Sequence, residues 1–179
     1  MRREIRISGF GGQGVGLFGY ILGKAFSLYQ DLFAVMTQSY GPEARGGASS
    51  ASVVVADRPI DFPFIQQADV LVALSQEGYS RFRPLAKADA LVIIEGDLVV
   101  PESGDQVLGI PATRMAEELG RRIVANMIMI GFLTAADDLI VREAVERAVE
   151  TTVRPSTFEL NRKAFEVGFS YVPLQEQIE

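Results

Sequence analysis

The chain has 179 residues, no cysteine and no histidine, and 17 basic against 23 acidic side chains, for a net charge of −6. These absences exclude disulfides, iron–sulfur or zinc ligation by thiolates, a Cys nucleophile and every mechanism that needs an imidazole, leaving carboxylate, Lys or Tyr chemistry. With 48% hydrophobic residues and no cluster of Lys and Arg to displace counterions, the composition describes a globular domain without a nucleic-acid partner.

The first strand is expected at Glu4–Ser8 and runs into Gly9-Phe10-Gly11-Gly12-Gln13-Gly14, which fits G-x-G-x-x-G. A helix over Val15–Tyr29 follows at once. In that context the glycines let backbone N–H groups approach an anion at a helix N-terminus. A dinucleotide would also need a carboxylate at the end of the second strand to hold the ribose. Asp31 has the spacing but precedes that strand, which ends at Thr37-Gln38-Ser39. The loop therefore reads as a site for NAD(P), as a site for some other anionic group, or as a tight turn packed under a neighbour. Gly16, Gly19 and Gly23 continue along the helix and suit close packing against the sheet or a partner. The same apolar stretch is interrupted by Lys24 and falls short of the ~20 residues of a membrane span, so a cytoplasmic protein with no membrane partner is expected.

Strands are expected at Phe33–Gln38 and Ser50–Ala56. The eleven residues Ser39–Ser49 between them are too few for a crossover helix, so this pair is read as antiparallel. The connecting loop carries Tyr40, Gly41, Pro42, Glu43, Arg45, Gly46 and Gly47. Arg45 could hold a phosphate or carboxylate in two-pronged fashion, or pair locally with Glu43. Further strands are expected at Asp69–Ser75, Ala90–Glu95 and Gln106–Ile110. Runs such as Leu91-Val92-Ile93-Ile94 suit strands covered on both faces. The strand ends present Glu77, Glu95 and Asp97, either a carboxylate acid/base set or solvated loop carboxylates.

Helical periodicity occupies the rest. Phe82–Ala88 is a short candidate broken by Pro84, and Thr113–Leu119 stops at Gly120. Arg122–Ala135 is apolar nearly all round and reads as buried. Inside it Asn126 needs partners, and a glycine-loop or Arg45-loop backbone group is the expected one. Val141–Val153 is amphipathic, with Arg142/Glu146 and Glu143/Arg147 spaced i,i+4. The last helix is expected to start with a Ser156/Glu159 capping box. The whole is an α/β, Rossmann-like three-layer sandwich with a mostly parallel sheet and an antiparallel pairing around residues 33–56. Residues 1–171 form a single domain and 172–179 a tail.

Four stretches in order, Gly9–Gly14, Ser39–Gly47, Asn126-Met127 and Asn161–Gly168, resemble the gamma subunit of 2-oxoacid:ferredoxin oxidoreductases. That family acts on pyruvate, 2-oxoglutarate, branched-chain 2-oxoacids or indolepyruvate. The resemblance covers nearly the whole chain. It implies oxidative decarboxylation of a 2-oxoacid, most closely 2-oxoglutarate, with coenzyme A as co-substrate and ferredoxin as acceptor. It also implies that this chain binds no cofactor and supplies no catalytic residue or metal ligand. Thiamine diphosphate, magnesium and iron–sulfur clusters would belong to alpha- and beta-type partners, with or without a ferredoxin-like delta chain. Gly9, Gly11, Gly12, Gln13 and Gly14 match the family's glycine loop. Gly41, Pro42, Glu43, Arg45, Gly46 and Gly47 match its second loop. The two loops are expected to adjoin and to face a partner or ligand, with Asn126 as support. The alternatives are a stand-alone NAD(P) oxidoreductase and a non-enzymatic interaction scaffold.

Overall fold

In a computed structural model, which describes residues 1–41 and 47–172, the strands form one six-stranded sheet. They are β1 (Arg2–Phe10), β2 (Phe33–Tyr40), β3 (Ala48–Ala56), β4 (Ala68–Ala73), β5 (Ala86–Glu95) and β6 (Leu108–Ile110), in the order β2-β3-β1-β4-β5-β6. The β2/β3 pair is antiparallel, as the short connection demands. β3 also pairs antiparallel with β1, so β3 alone runs against the rest.

Successive strand residues point to opposite faces. Ile5, Ile7, Val53, Val55, Val70, Val72 and Ile93 face one large core. Onto it pack α1 (Val15–Lys24, continued by a π-helical turn Ala25–Tyr29), α3 (Ala112–Glu118), α4 (Ala125–Ala136), α5 (Arg142–Glu150) and α6 (Phe158–Phe169). Leu71, Ala73, Val92 and Ile94 face the other side and meet Tyr79 of α2 (Gln76–Phe82). The consecutive apolar runs in β4 and β5 thus mark strands sandwiched on both faces. The second layer is far thinner than the first.

Three local expectations are corrected. The short helix lies at Gln76–Phe82, not Phe82–Ala88, because Ser75 caps it, accepting the Gly78 N–H at 3.1 Å, and Pro84 sits in a 3-10 turn that ends it. The Ser156/Glu159 capping box does not form. Pro155–Thr157 is a 3-10 turn and α6 starts at Phe158 behind Thr157, without a side-chain cap. On α5 the Arg142–Glu146 pair is present at 2.8 Å, while Arg147 stacks over the Tyr29 ring. Gly16 packs against Gln38, and Gly19 against Met36 and Ala51, so these glycines serve the sheet; nothing lies within 4 Å of a Cβ on Gly23. No helix among the described residues is long and apolar enough to cross a membrane. Of the expected tail, 173–179 lie outside the described residues.

The long connection after β5 is tied down by one buried phenol. Tyr79 accepts the Glu102 N–H at 3.0 Å and donates to Asp105, whose carboxylate also takes Arg83 Nε and Nη2 at 2.7 Å. The Arg83 hydrogen bonds hold Asp105 below the usual carboxylate range. Removing the hydroxyl strands both partners. Tyr79→Phe is expected to cost about 1–2 kcal/mol in urea melts and to speed amide exchange at Glu102; exchange unchanged at Glu102 would count against this anchor.

Candidate functional site

At the carboxyl ends of the parallel strands, the chain leaves β1 toward one face and β4 toward the other. α1 joins the large core and α2 the smaller one, although β1 and β4 are neighbours. Such a divergence opens a crevice between adjacent strands, where α/β sheets place ligands. The glycine loop lies there. Gly12 has φ +93° and Gly14 φ +75°, conformations that favour glycine. Gln13 uses its own side chain inside the loop: its Oε1 accepts the Phe10 N–H at 2.6 Å and its Nε2 donates to the Leu74 carbonyl at 2.9 Å. The amide of Gln13 therefore locks the turn to the end of β4 rather than pointing outward.

The two expected loops meet. Pairing of Gly9 with Ser49 and Phe10 with Ala48 carries β1 and β3 to the same edge, and the Gly11 N–H donates to the Gly47 carbonyl at 2.9 Å. Gly41 closes the other side with an N–H bond to the Ala48 carbonyl at 2.7 Å. Tyr40 is 69% exposed beside them. Pro42, Glu43, Arg45 and Gly46 lie outside the described residues.

Asn126, 5% exposed, stands behind the glycine loop at the start of α4. A Cβ on Gly14 would lie 2.9 Å from Asn126 Cγ and would overlap Nδ2. No hydrogen bond joins the Asn126 side chain to the glycine loop, and residues 42–46 of the second loop lie outside the described residues. Among the described residues the Asn126 amide has no hydrogen-bond partner. With Gly12, Gln13, Leu74, Glu95, Thr113 and Arg122 it lines a crevice of about 270 Å³.

Glu77, Glu95 and Asp97 do not come together as an acid/base set. Glu77 lies on α2, on the opposite face. Asp97 meets Arg114 at 3.3 Å. Glu95 is buried and accepts the Thr113 N–H at 2.9 Å and the Asp97 N–H at 3.1 Å, so it caps α3 and shapes the next turn. Burial pushes its carboxyl above the ordinary range, and these N–H bonds partly offset the effect. Its capping role has no signature in the sequence, because Glu95 is distant from α3 along the chain. No group of three His, Cys, Asp or Glu among the described residues could hold a metal ion.

The sheet order also bears on nicotinamide binding. In a dinucleotide fold the strand after the glycine-loop helix lies beside the first and offers the ribose its carboxylate. Here that strand, β2, lies at the sheet's edge, and antiparallel β3 takes the place next to β1. The ribose-holding position is not formed.

A family model described as pyruvate ferredoxin/flavodoxin oxidoreductase matches residues 4–171. The 2-oxoglutarate synthase subunit KorC of Methanothermobacter marburgensis is 50% identical over 177 residues, covering 94% of this chain and 95% of that protein. The crystal structure of the keto/oxoacid ferredoxin oxidoreductase gamma subunit from Geobacter sulfurreducens matches with a TM-score of 0.85 at 40% identity, over 94% of this chain and 95% of that one. The 2-oxoglutarate:ferredoxin oxidoreductase of Magnetococcus marinus shares the fold, with a TM-score of 0.83 at 19% identity over 98% of this chain and 32% of that one.

Proposed function

The chain belongs to the pyruvate ferredoxin/flavodoxin oxidoreductase family, and we propose that it is the gamma-type subunit of a 2-oxoglutarate:ferredoxin oxidoreductase working in the cytoplasm. The observation that carries the substrate is the 50% identity, nearly end to end, with a 2-oxoglutarate synthase subunit. The proposed reaction is oxidative decarboxylation of 2-oxoglutarate with coenzyme A, electrons passing to ferredoxin. Thiamine diphosphate, magnesium and iron–sulfur clusters are carried by alpha- and beta-type partners, with or without a ferredoxin-like delta chain. They supply the carbanion chemistry and the electron path.

This chain's contribution is shape. The glycine loop and Tyr40, Gly41 and Gly47 stand side by side at the strand ends, joined by the Gly11–Gly47 hydrogen bond. We assign these residues, with Pro42, Glu43, Arg45 and Gly46, to the face that meets the partners and borders the coenzyme A approach. Exposed apolar side chains around that end, Phe10, Leu17 and Tyr40, suit a contact with another chain.

The chain, affinity-tagged in its own cell and purified without oxygen, is expected to bring down thiamine-diphosphate and iron–sulfur chains. The eluate is expected to reduce a viologen dye with 2-oxoglutarate and coenzyme A. A homo-oligomer without such partners would overturn the subunit reading, and activity on pyruvate alone would overturn the substrate.

A further inference from the structure

The two edges of the sheet are not alike. β6 closes one side with only Leu108–Ile110, too short to offer a ladder to another strand. β2 closes the other side with Phe33–Tyr40, and its register with β3 is unbroken from end to end. It holds no Pro and no charged residue, and no bulge interrupts it, so none of these devices blunts this edge. The Gly41 N–H donates to the Ala48 carbonyl at 2.7 Å, which continues the β2/β3 register by one residue. Hydrogen-bonded pairs alternate along an antiparallel ladder, so Phe33, Val35, Thr37 and Ser39 turn their backbone groups to β3. The Gly11–Gly47 bond gives the same alternation from the β1 side. Ala34, Met36 and Gln38 therefore turn their backbone groups outward, and among the described residues no hydrogen bond outside the sheet uses them.

The helix above this edge leaves room for a close neighbour. Gly16 lies against Gln38 and Gly19 against Met36, so this flank of α1 runs above β2. Gly23 and Ser27 continue the flank at the i+4 spacing that stacks residues on one helix face. Nothing lies within 4 Å of a Cβ on Gly23, and the Ser27 hydroxyl turns back to the Gly23 carbonyl at 2.8 Å. A glycine inside a helix costs about 1 kcal/mol against alanine, and no contact among the described residues requires one here. Tyr20, 53% exposed, stands beside this flank, and Phe33, 48% exposed, stands at the start of β2.

We propose that β2 pairs antiparallel with β2 of a second copy of this chain, about a two-fold axis at Met36, joining two six-stranded sheets into one. Ala34, Met36 and Gln38 of one copy then exchange backbone hydrogen bonds with Gln38, Met36 and Ala34 of the other. The occupant is a second copy because the edge complements itself. The two-fold sets every outward donor against an outward acceptor, and an uncharged strand meets its own image without like-charge repulsion. The axis stands perpendicular to the sheet, so both α1 helices come to the same face of the seam, where Gly23 and Ser27 let them approach. Tyr40 and the glycine loop lie outside the paired residues, and the pairing does not depend on the subunit reading.

The test is sedimentation of the full chain over a range of concentrations, with amide hydrogen exchange measured at each. A reversible monomer–dimer equilibrium is expected. Protection of the Ala34, Met36 and Gln38 amides is expected to rise with concentration, while Val35 and Thr37 are protected throughout. Gly23→Lys, whose side chain enters open space, is expected to leave the Tm of the dilute chain unchanged or higher and to weaken dimerisation at least tenfold. Gln38→Pro removes an outward N–H and no bond to β3, and is expected to weaken dimerisation as much. A chain that stays monomeric would overturn the proposal. So would a dimer whose Ala34, Met36 and Gln38 amides exchange as they do in the monomer, or one that Gly23→Lys forms as tightly as the wild type.

Discussion

Gly168→Ala is expected to destabilise the chain by about 4 kcal/mol or more, a large share of the 5–15 kcal/mol that holds an ordinary domain folded. Helix propensity alone predicts the opposite sign, because alanine in a helix interior gains about 1 kcal/mol over glycine. The crossing of α4 and α6 decides between them. A Cβ on Gly168 would overlap the Ile128 carbonyl oxygen and lie 2.7 Å from its carbon. A Cβ on Gly131, facing it from α4, would overlap the Phe165 carbonyl oxygen and lie 2.8 Å from the Phe169 nitrogen. Both obstacles are backbone, which cannot rotate away as a side chain can. The helices would have to part, unpacking Ile128, Phe132 and Phe165 from the core, each worth about 1.5–3 kcal/mol when buried. Urea melts of Gly168→Ala and Gly131→Ala measure this. Gly23→Ala, where nothing lies within 4 Å, is the control and is expected to stabilise. A Gly168→Ala protein as stable as the Gly23→Ala one would show that the helices do not cross this closely.

The second large effect is expected at the glycine loop. Gly14→Ala forces an L-residue to φ +75°, at about 1–2 kcal/mol, and drives its Cβ into the Asn126 amide. The loop must shift, and with it the Gly11–Gly47 bond that joins the two loops. In the reconstituted complex, 2-oxoglutarate- and coenzyme-A-dependent turnover is expected to fall at least tenfold, as about 1.4 kcal/mol of misplacement would give. Asn126→Ala frees the space that the new methyl needs. The double variant Gly14→Ala/Asn126→Ala is therefore expected to recover part of both stability and turnover, a coupling that independent sites would not show. If stability follows this cycle while turnover stays at the wild-type value throughout, the loop is a turn and not a functional face.

The glycine loop was legible because its chemistry is local: four glycines in six residues, between a strand and a helix, specify a backbone path. Its partner Asn126 was legible only as a polar residue in an apolar helix. The sequence pointed to a hydrogen bond with a loop backbone, and the structure sets the Asn126 amide against Gly14. Pro42, Glu43, Arg45 and Gly46 were legible as motif members, and their part in the face remains a proposal. The short helix α2 was placed six residues too late, at Phe82–Ala88 instead of Gln76–Phe82, because its Ser75 cap carries no apolar periodicity after it.

Composition, strand and helix periodicity and the turn residues by themselves determined the α/β class, the antiparallel β2/β3 pair and the helical C-terminal third, while the meeting of the two glycine-rich loops was implied by the family resemblance. Those features rest on burial alternation and on backbone conformations fixed within a few residues. Only the tertiary structure decided that β2 lies at the edge with β3 beside β1, that Glu95 caps a helix instead of joining an acid/base set, and that Gly131 and Gly168 bring two helix backbones into contact. Each depends on which distant segments become neighbours, a choice made by the packing of the whole core and written in no single stretch of the chain.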